Sequence, residues 1–175
     1  EKVLPLQIKD LSMTYRSILK KRKEAIKDLS LEIYPSEIFG YLGPNGAGKT
    51  TTIKVIVGLI RQTQGEVFIY GMSSKRPESR YKLGYMPENP NFYDYLTGRE
   101  ILDLCGTLFG IPRKLRKKVC GELLEKFDLL EASDVYVREY SKGMRQRLGL
   151  AQSLVHNPDI LILDEPMSGL DPMGR

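Results

Sequence analysis

The period of apolar and polar positions changes several times along the chain, and each change predicts an element. Residues 3 to 15 alternate loosely up to Ser12-Met13-Thr14-Tyr15, while residues 25 to 33 (Ala-Ile-Lys-Asp-Leu-Ser-Leu-Glu-Ile) alternate with period two. Both predict strands, and the polar, basic turn between them predicts an antiparallel hairpin. Ile38-Phe39-Gly40-Tyr41-Leu42 predicts a short buried strand. From Thr51 to Ile60 the apolar residues at 53, 56, 57 and 60 mark one face of a helix. Gly65 to Gly71 predicts another strand, residues 72 to 80 are polar, and residues 81 to 86 are strand-like. Pro87 to Tyr95, rich in Pro, Asn and aromatics, predicts a loop.

Thr97 with Glu100 three residues on predicts a capping box, followed by about forty helical residues. Leu115, Val119, Leu123, Phe127 and Leu130 read as the core stripe of that region. Ser141 opens the next helix, with Met144, Leu148, Ala151 and Val155 on one face and Asn157-Pro158 as its stop. Asp159 to Pro166 is an apolar strand ending in Asp164-Glu165.

Candidate chemistry enters at Gly43-Pro44-Asn45-Gly46-Ala47-Gly48-Lys49-Thr50, followed by Thr51. A glycine-rich turn between a predicted strand and a helix start is the setting in which Gly-x-x-x-x-Gly-Lys-Thr works as a phosphate loop. The glycines let several N–H groups face one concavity, and the helix adds its positive dipole end. Lys49 is placed to reach the β- and γ-phosphates, and the Thr50 hydroxyl to ligate Mg²⁺. An apolar strand ending in two acids is the natural partner of such a loop. Asp164 then holds Mg²⁺ through a water, and Glu165 polarises the attacking water.

Composition narrows the class. At 175 residues and 41% hydrophobic content the chain predicts one domain with a sizeable core. No apolar run approaches the roughly 18 to 20 residues of a membrane span, and the first residues lack the apolar segment of a signal peptide. The sequence starts at Glu1 rather than Met and reads as a piece of a longer protein. Cys105 and Cys120 cluster with no other ligand and predict a reduced pair. The net charge of +5 comes largely from Lys20-Lys21-Arg22-Lys23, Arg113-Lys114 and Arg116-Lys117-Lys118. These runs are solvated faces, or sites for anionic lipid or nucleic acid. The absence of interleaved aromatics argues against nucleic acid. His156, before the last strand, reads as a solvated helix-end histidine.

Taken together, Gly43 to Thr50, Tyr140-Ser141-Lys142-Gly143-Met144-Arg145-Gln146-Arg147, Ile160 to Pro166, and Ser168-Gly169-Leu170-Asp171 resemble, in this order, the Walker A, signature, Walker B and D-loop motifs of ABC transporter nucleotide-binding domains. The resemblance spans essentially the whole chain. It implies an α/β fold: a P-loop NTPase core, mostly parallel sheet with flanking helices, an antiparallel β hairpin, and a helical subdomain inserted at approximately 93–140. It places Tyr15 on the adenine and Glu88 at the Q-loop position, where Gln is usual. A carboxylate there suits Mg²⁺ or its waters, so the implied metal set is Thr50, Glu88 and Asp164. The signature departs from Leu-Ser-Gly-Gly-Gln at Tyr140, Lys142 and Met144.

In such domains Ser141, Lys142, Gly143 and Met144 cap the γ-phosphate held by a second subunit, so the resemblance implies a homodimer or heterodimer sandwiching two ATP molecules with Mg²⁺. It further implies an ATPase, cytoplasmic and peripheral on the inner face of the membrane, driving a separate permease, and closest in look to ABC-2-type exporters. A soluble ABC ATPase of the ribosome or chromosome, and a fragment that binds without turnover, are the alternatives. The strand bearing the family's switch histidine falls beyond Arg175, between the Walker A and Walker B strands. On the resemblance the chain is therefore C-terminally truncated and is expected to hydrolyse ATP negligibly by itself.

Overall fold

The computed structural model describes residues 3–15 and 22–166. They fall into two compact units, Glu1–Tyr81 and Lys82–Arg175.

In the first unit β1 (Leu6–Tyr15) and β2 (Lys23–Ile33) form the expected antiparallel hairpin, and β3 (Gln64–Ile69) pairs antiparallel to the other edge of β1. The two-residue β4 (Met72–Ser73) completes the order β2-β1-β3-β4. The loose alternation of β1 has a physical cause. Leu6 and Ile8 are buried on even positions, Leu11 and Met13 on odd ones, and between them Asp10 is left-handed with φ 48°. An extra residue inserted in a ladder flips the parity of every side chain after it.

Asp28, with φ 45°, does the same on β2, where Ile26 gives way to the odd positions Leu29 and Leu31. Two serines steady these bulges. Asp10 N donates to Ser30 Oγ at 2.9 Å, and Ser30 Oγ donates back to Asp10 Oδ1 at 3.1 Å. Asp28 N donates to Ser12 Oγ at 3.0 Å, and Ser12 Oγ returns a bond to Asp28 Oδ1 at 3.1 Å.

Helix α1 (Lys49–Ile56) is shorter than its apolar pattern suggested. Gly58, at φ 74°, ends it: Gly58 N bonds Val55 O at 3.1 Å and Leu59 N bonds Lys54 O at 2.8 Å. That paired closure satisfies carbonyls the helix would otherwise orphan. The stretch from Ile38 to Leu42 corrects the expectation of a buried strand. It is not a strand, Ile38 is fully exposed, and Leu42 is 91% exposed. Apolar character alone does not make a strand, because the backbone needs partners and none pairs with it among the described residues.

In the second unit β5 (Leu83–Met86) pairs in parallel with β6 (Ile160–Leu163), Leu83 opposite Ile160 and Met86 opposite Leu163. Helices α2 (Gly98–Leu108), α3 (Arg113–Lys126) and α4 (Lys142–Leu154) pack around Leu102, Leu124, Val137, Leu148 and Ala151. The Thr97–Glu100 capping box forms as expected. The long helical run breaks at Gly110, φ 72°, where Ile111 N closes on Gly106 O at 2.9 Å.

The stripe expected on α3 also needs correction. Cys120 and Leu124 are buried, whereas Leu115 and Leu130 are exposed and Val119, Leu123 and Phe127 only half-buried. Only the middle of the i, i+4 line from Leu115 reaches the core, where Leu123 and Phe127 pack against it from the edge. Val119 and Leu123 also line an open groove of about 390 Å³ with Leu154 and Val155. No helix among the described residues is long and apolar enough to cross a membrane.

Candidate functional site

The phosphate loop is shaped by backbone. Gly46 (φ 84°) and Gly48 (φ 92°) both take left-handed conformations, and Ala47 N closes a turn on Pro44 O at 3.1 Å. Gly48 is required twice over, because a Cβ there would also collide with the Ala25 carbonyl of β2. As the residue before α1 it offers no side-chain cap, and the first turn holds no acid. A helix start of this kind is suited to an anion.

Lys49 Nζ lies over this turn, donating to Gly43 O at 2.7 Å and Pro44 O at 3.1 Å. The Tyr15 hydroxyl shares a 3.3 Å hydrogen bond with Thr51 Oγ1, so the end of β1 is brought to the start of α1. Thr52 Oγ1 donates to Gly48 O at 3.1 Å, bracing the first turn. This donor set fits a nucleotide polyphosphate: curled N–H groups, one ammonium, no competing carboxylate in the turn. Tyr15, Gly43 to Thr50 and Thr51 all lie in the first unit.

The acids lie in the second. Asp164 follows β6, is 4% exposed, and its N–H donates to Met86 O at 3.0 Å, extending the parallel ladder by one rung. Burial first, and then the Asp164 charge, pushes the Tyr85 phenol upward. Glu165 is exposed and left-handed at φ 47°. For a residue with a Cβ that conformation costs roughly 1–2 kcal/mol, so the chain turns sharply where a catalytic base is expected.

The residues at the expected signature positions are held by side chains. Ser141 Oγ accepts from Met144 N at 3.2 Å and caps α4, which leaves the hydroxyl proton available to donate. Tyr140 is buried; its hydroxyl donates to Ala132 O at 2.7 Å and its ring fills the space that a side chain at Gly98 would need. The departure from Leu at this position therefore has a packing reason. Lys142 is exposed, and Gly143 and Met144 are half-buried.

Consecutive α4 residues pin the loop that carries Glu88. Arg145 meets the Asp94 carboxylate at 2.7 Å, and Gln146 Nε2 donates to Glu88 O at 2.9 Å. Sequence reasoning singled out neither strut, since nothing in a local pattern shows that residues 51 and 58 positions apart will meet. Ser168, Gly169, Leu170 and Asp171 lie outside the described residues.

His156 corrects its sequence reading. It is half-buried, stacked on Phe109 with centroids 3.8 Å apart, and its Nε2 donates to Leu83 O at 2.9 Å. A carbonyl only accepts, so Nε2 carries the proton and the buried, unbonded Nδ1 does not. Burial lowers its pKa below 6.5, partly opposed by the Leu83 bond. The thiols are free and suited to packing: burial raises Cys105, and Cys120 to about 11.

Comparison with known proteins agrees with this arrangement. Residues 26–168 match the ABC transporter family. An ABC transporter ATP-binding protein of Nostoc sp. is 44% identical over 170 residues, covering 95% of this chain and 51% of its own length. The bacitracin transport ATP-binding protein of Bacillus licheniformis is 40% identical, covering 94% of this chain and 52% of its own length. Among solved structures, a dimeric ATP-binding cassette in a post-hydrolysis state with ADP and phosphate superposes with a TM-score of 0.86 at 27% identity, covering 97% of this chain and 77% of that one. The chain spans about half the length of the curated relatives it matches.

Proposed function

The chain belongs to the ABC transporter family, and on that premise we propose that it is the ATP-binding and ATP-hydrolysing part of a subunit that powers transport by a separate membrane-spanning permease. ATP supplies the phosphoanhydride, and Mg²⁺ the divalent charge that neutralises its oxygens. The chain's own residues do the rest. The backbone from Gly43 to Thr50 cradles the phosphates, and Lys49 exchanges the Gly43 and Pro44 carbonyls for phosphate oxygens. Tyr15 stacks on the adenine. Thr50, Asp164 and Glu88 are the groups that hold the metal or its waters. Glu165 accepts the proton of the attacking water.

Ser141, Lys142, Gly143 and Met144 cap the γ-phosphate bound by a second ATPase domain, in a homodimer or heterodimer. Because loop and signature of one chain serve different nucleotides, an isolated chain turns over slowly. The permease keeps the subunit at the inner face of the membrane. Relatives named for bacitracin transport and daunorubicin resistance support export as the direction.

The observation that carries this reading is the phosphate loop itself, with left-handed Gly46 and Gly48 curling it and the Lys49 ammonium poised above. Lys49→Ala is expected to weaken Mg-ATP binding at least tenfold, about 1.4 kcal/mol. Unchanged affinity in a titration with fluorescent ATP would overturn the assignment.

A further inference from the structure

The basic run on α3 is left unused by the nucleotide chemistry. Between Leu104 and Gly121 there is no aspartate or glutamate, while Arg113, Lys114, Arg116, Lys117 and Lys118 fall within a single stretch. Charge of this kind does not favour the start of the helix. Its first turn holds no acid, Pro112 before it offers no side-chain cap, and cations at a helix N-terminus oppose the dipole.

Ion pairing explains only part of the run. Arg116 turns inward onto Asp103 and is just 14% exposed. Lys118 faces Glu122 at 3.7 Å, both side chains largely in solvent. Arg113, Lys114 and Lys117 are exposed and carry no ion pair among the described residues.

Apolar surface lies beside these cations. Leu108, the last residue of α2, is 74% exposed, and Leu115, in the first turn of α3, is 52% exposed. On a helix, positions three and four apart are neighbours, so Lys118 flanks Leu115 and both Lys117 and Lys118 flank Lys114. Two exposed leucines that share one acid-free stretch of chain with five cations match the chemistry of an anionic bilayer surface. There, apolar side chains enter the headgroup boundary while lysines and arginines meet lipid phosphates.

We propose that the α2–α3 corner is a peripheral lipid-binding surface, with Leu108 and Leu115 as the entering groups and Arg113, Lys114, Lys117 and Lys118 as the headgroup contacts. Nucleic acid satisfies the same cations but gives the two leucines no place, and the run lacks stacking aromatics. Each cation near such a surface is worth roughly fivefold in affinity, so the contact is weak and reversible. Its effect is to orient a subunit that is already at the membrane. The lipid contact uses no residue of the nucleotide site and can fail or hold without it; only the orienting effect rests on the permease-bound reading above.

The test is sedimentation of the full-length protein with vesicles that contain no permease, so that lipid is the only available partner. Vesicles with roughly a third phosphatidylserine are expected to bind it, and pure phosphatidylcholine vesicles to leave it in solution. The double variant Lys114→Glu/Lys117→Glu should lose at least about twentyfold in affinity. Leu108→Ser should lose severalfold with the charge unchanged. The charge-matched control Lys75→Glu/Arg76→Glu, in the first unit, should bind like the parent. ATP affinity should be unaltered in all three, and the melting temperature should not fall, since Lys114→Glu removes a cation that opposes the helix dipole. The proposal is overturned by no binding to anionic vesicles, by equal loss in the control, by indifference to Leu108→Ser, or by a DNA duplex of equal charge competing the protein off the vesicles.

Discussion

The phosphate loop is built from backbone, whereas the start of α4 is built from side chains. At the loop, two left-handed glycines set the shape, and one of them lies against the Ala25 carbonyl, so no other residue type serves. At α4, the Ser141 cap, the Tyr140 bond to Ala132, the Arg145 pair with Asp94 and the Gln146 bond to Glu88 share the task of fixing a helix start. Both ends present donors suited to an anion. The difference lies in how each tolerates change. Backbone shape fails outright when a Cβ is added, while a set of separate struts allows one member to be replaced if a new partner holds the replacement. Tyr140, standing where Leu is usual, is such a replacement.

The sharpest way to break this comparison is Gly48→Ala. It adds a Cβ against a carbonyl and demands a φ of 92° from a residue that avoids it. The expected loss is at least about 2 kcal/mol of stability, together with nucleotide affinity. An unchanged urea midpoint and unchanged ATP binding would mean that side chains, not backbone, shape the loop.

Tyr140→Phe tests the other end. It removes one hydroxyl and leaves the Ala132 carbonyl without its donor, at a cost of about 1 kcal/mol. Affinity for ATP at the phosphate loop should stay within twofold, because the Tyr140 hydroxyl bonds Ala132 and none of the residues proposed to hold that nucleotide. A large loss of ATP binding would show that the two ends are not independent in the way described.

His156 should give the smallest effect, and it depends on pH. Its folded pKa is lowered, so the unfolded chain binds the proton more readily and stability rises with pH across this range. The contribution of the neutral ring is present above the unfolded value of 6.5 and is lost as pH falls through the lowered folded value. His156→Phe preserves an aromatic ring to stack on Phe109 and removes the titration. Urea midpoints taken on either side of pH 6.5 should differ less in the variant than in the parent. Equal pH dependence in both proteins would place the titration elsewhere.

Local pattern carried much of this protein. The strand periods of the hairpin, the Thr97–Glu100 box, the Ser141 cap, the buried face of α4 and the glycine-rich loop each rest on residues close together in the chain, where periodicity and capping chemistry act. The sequence alone therefore determined most of the strands, the helix starts at Thr97 and Ser141, the position of the loop at a helix start and the family. Tertiary structure alone decided burial where the local pattern misled, on α3 and from Ile38 to Leu42. Leu115 lost its place to Cys120 and Leu124 because α2 and α4 choose the seam, and Ile38 to Leu42 found no strand to pair with among the described residues. It also decided that His156 stacks on Phe109, that Asp94 meets Arg145 and that Tyr140 reaches Ala132. Except for the last, such contacts join residues far apart in the chain, and their energy depends on where whole elements dock. No window of neighbouring residues contains that information.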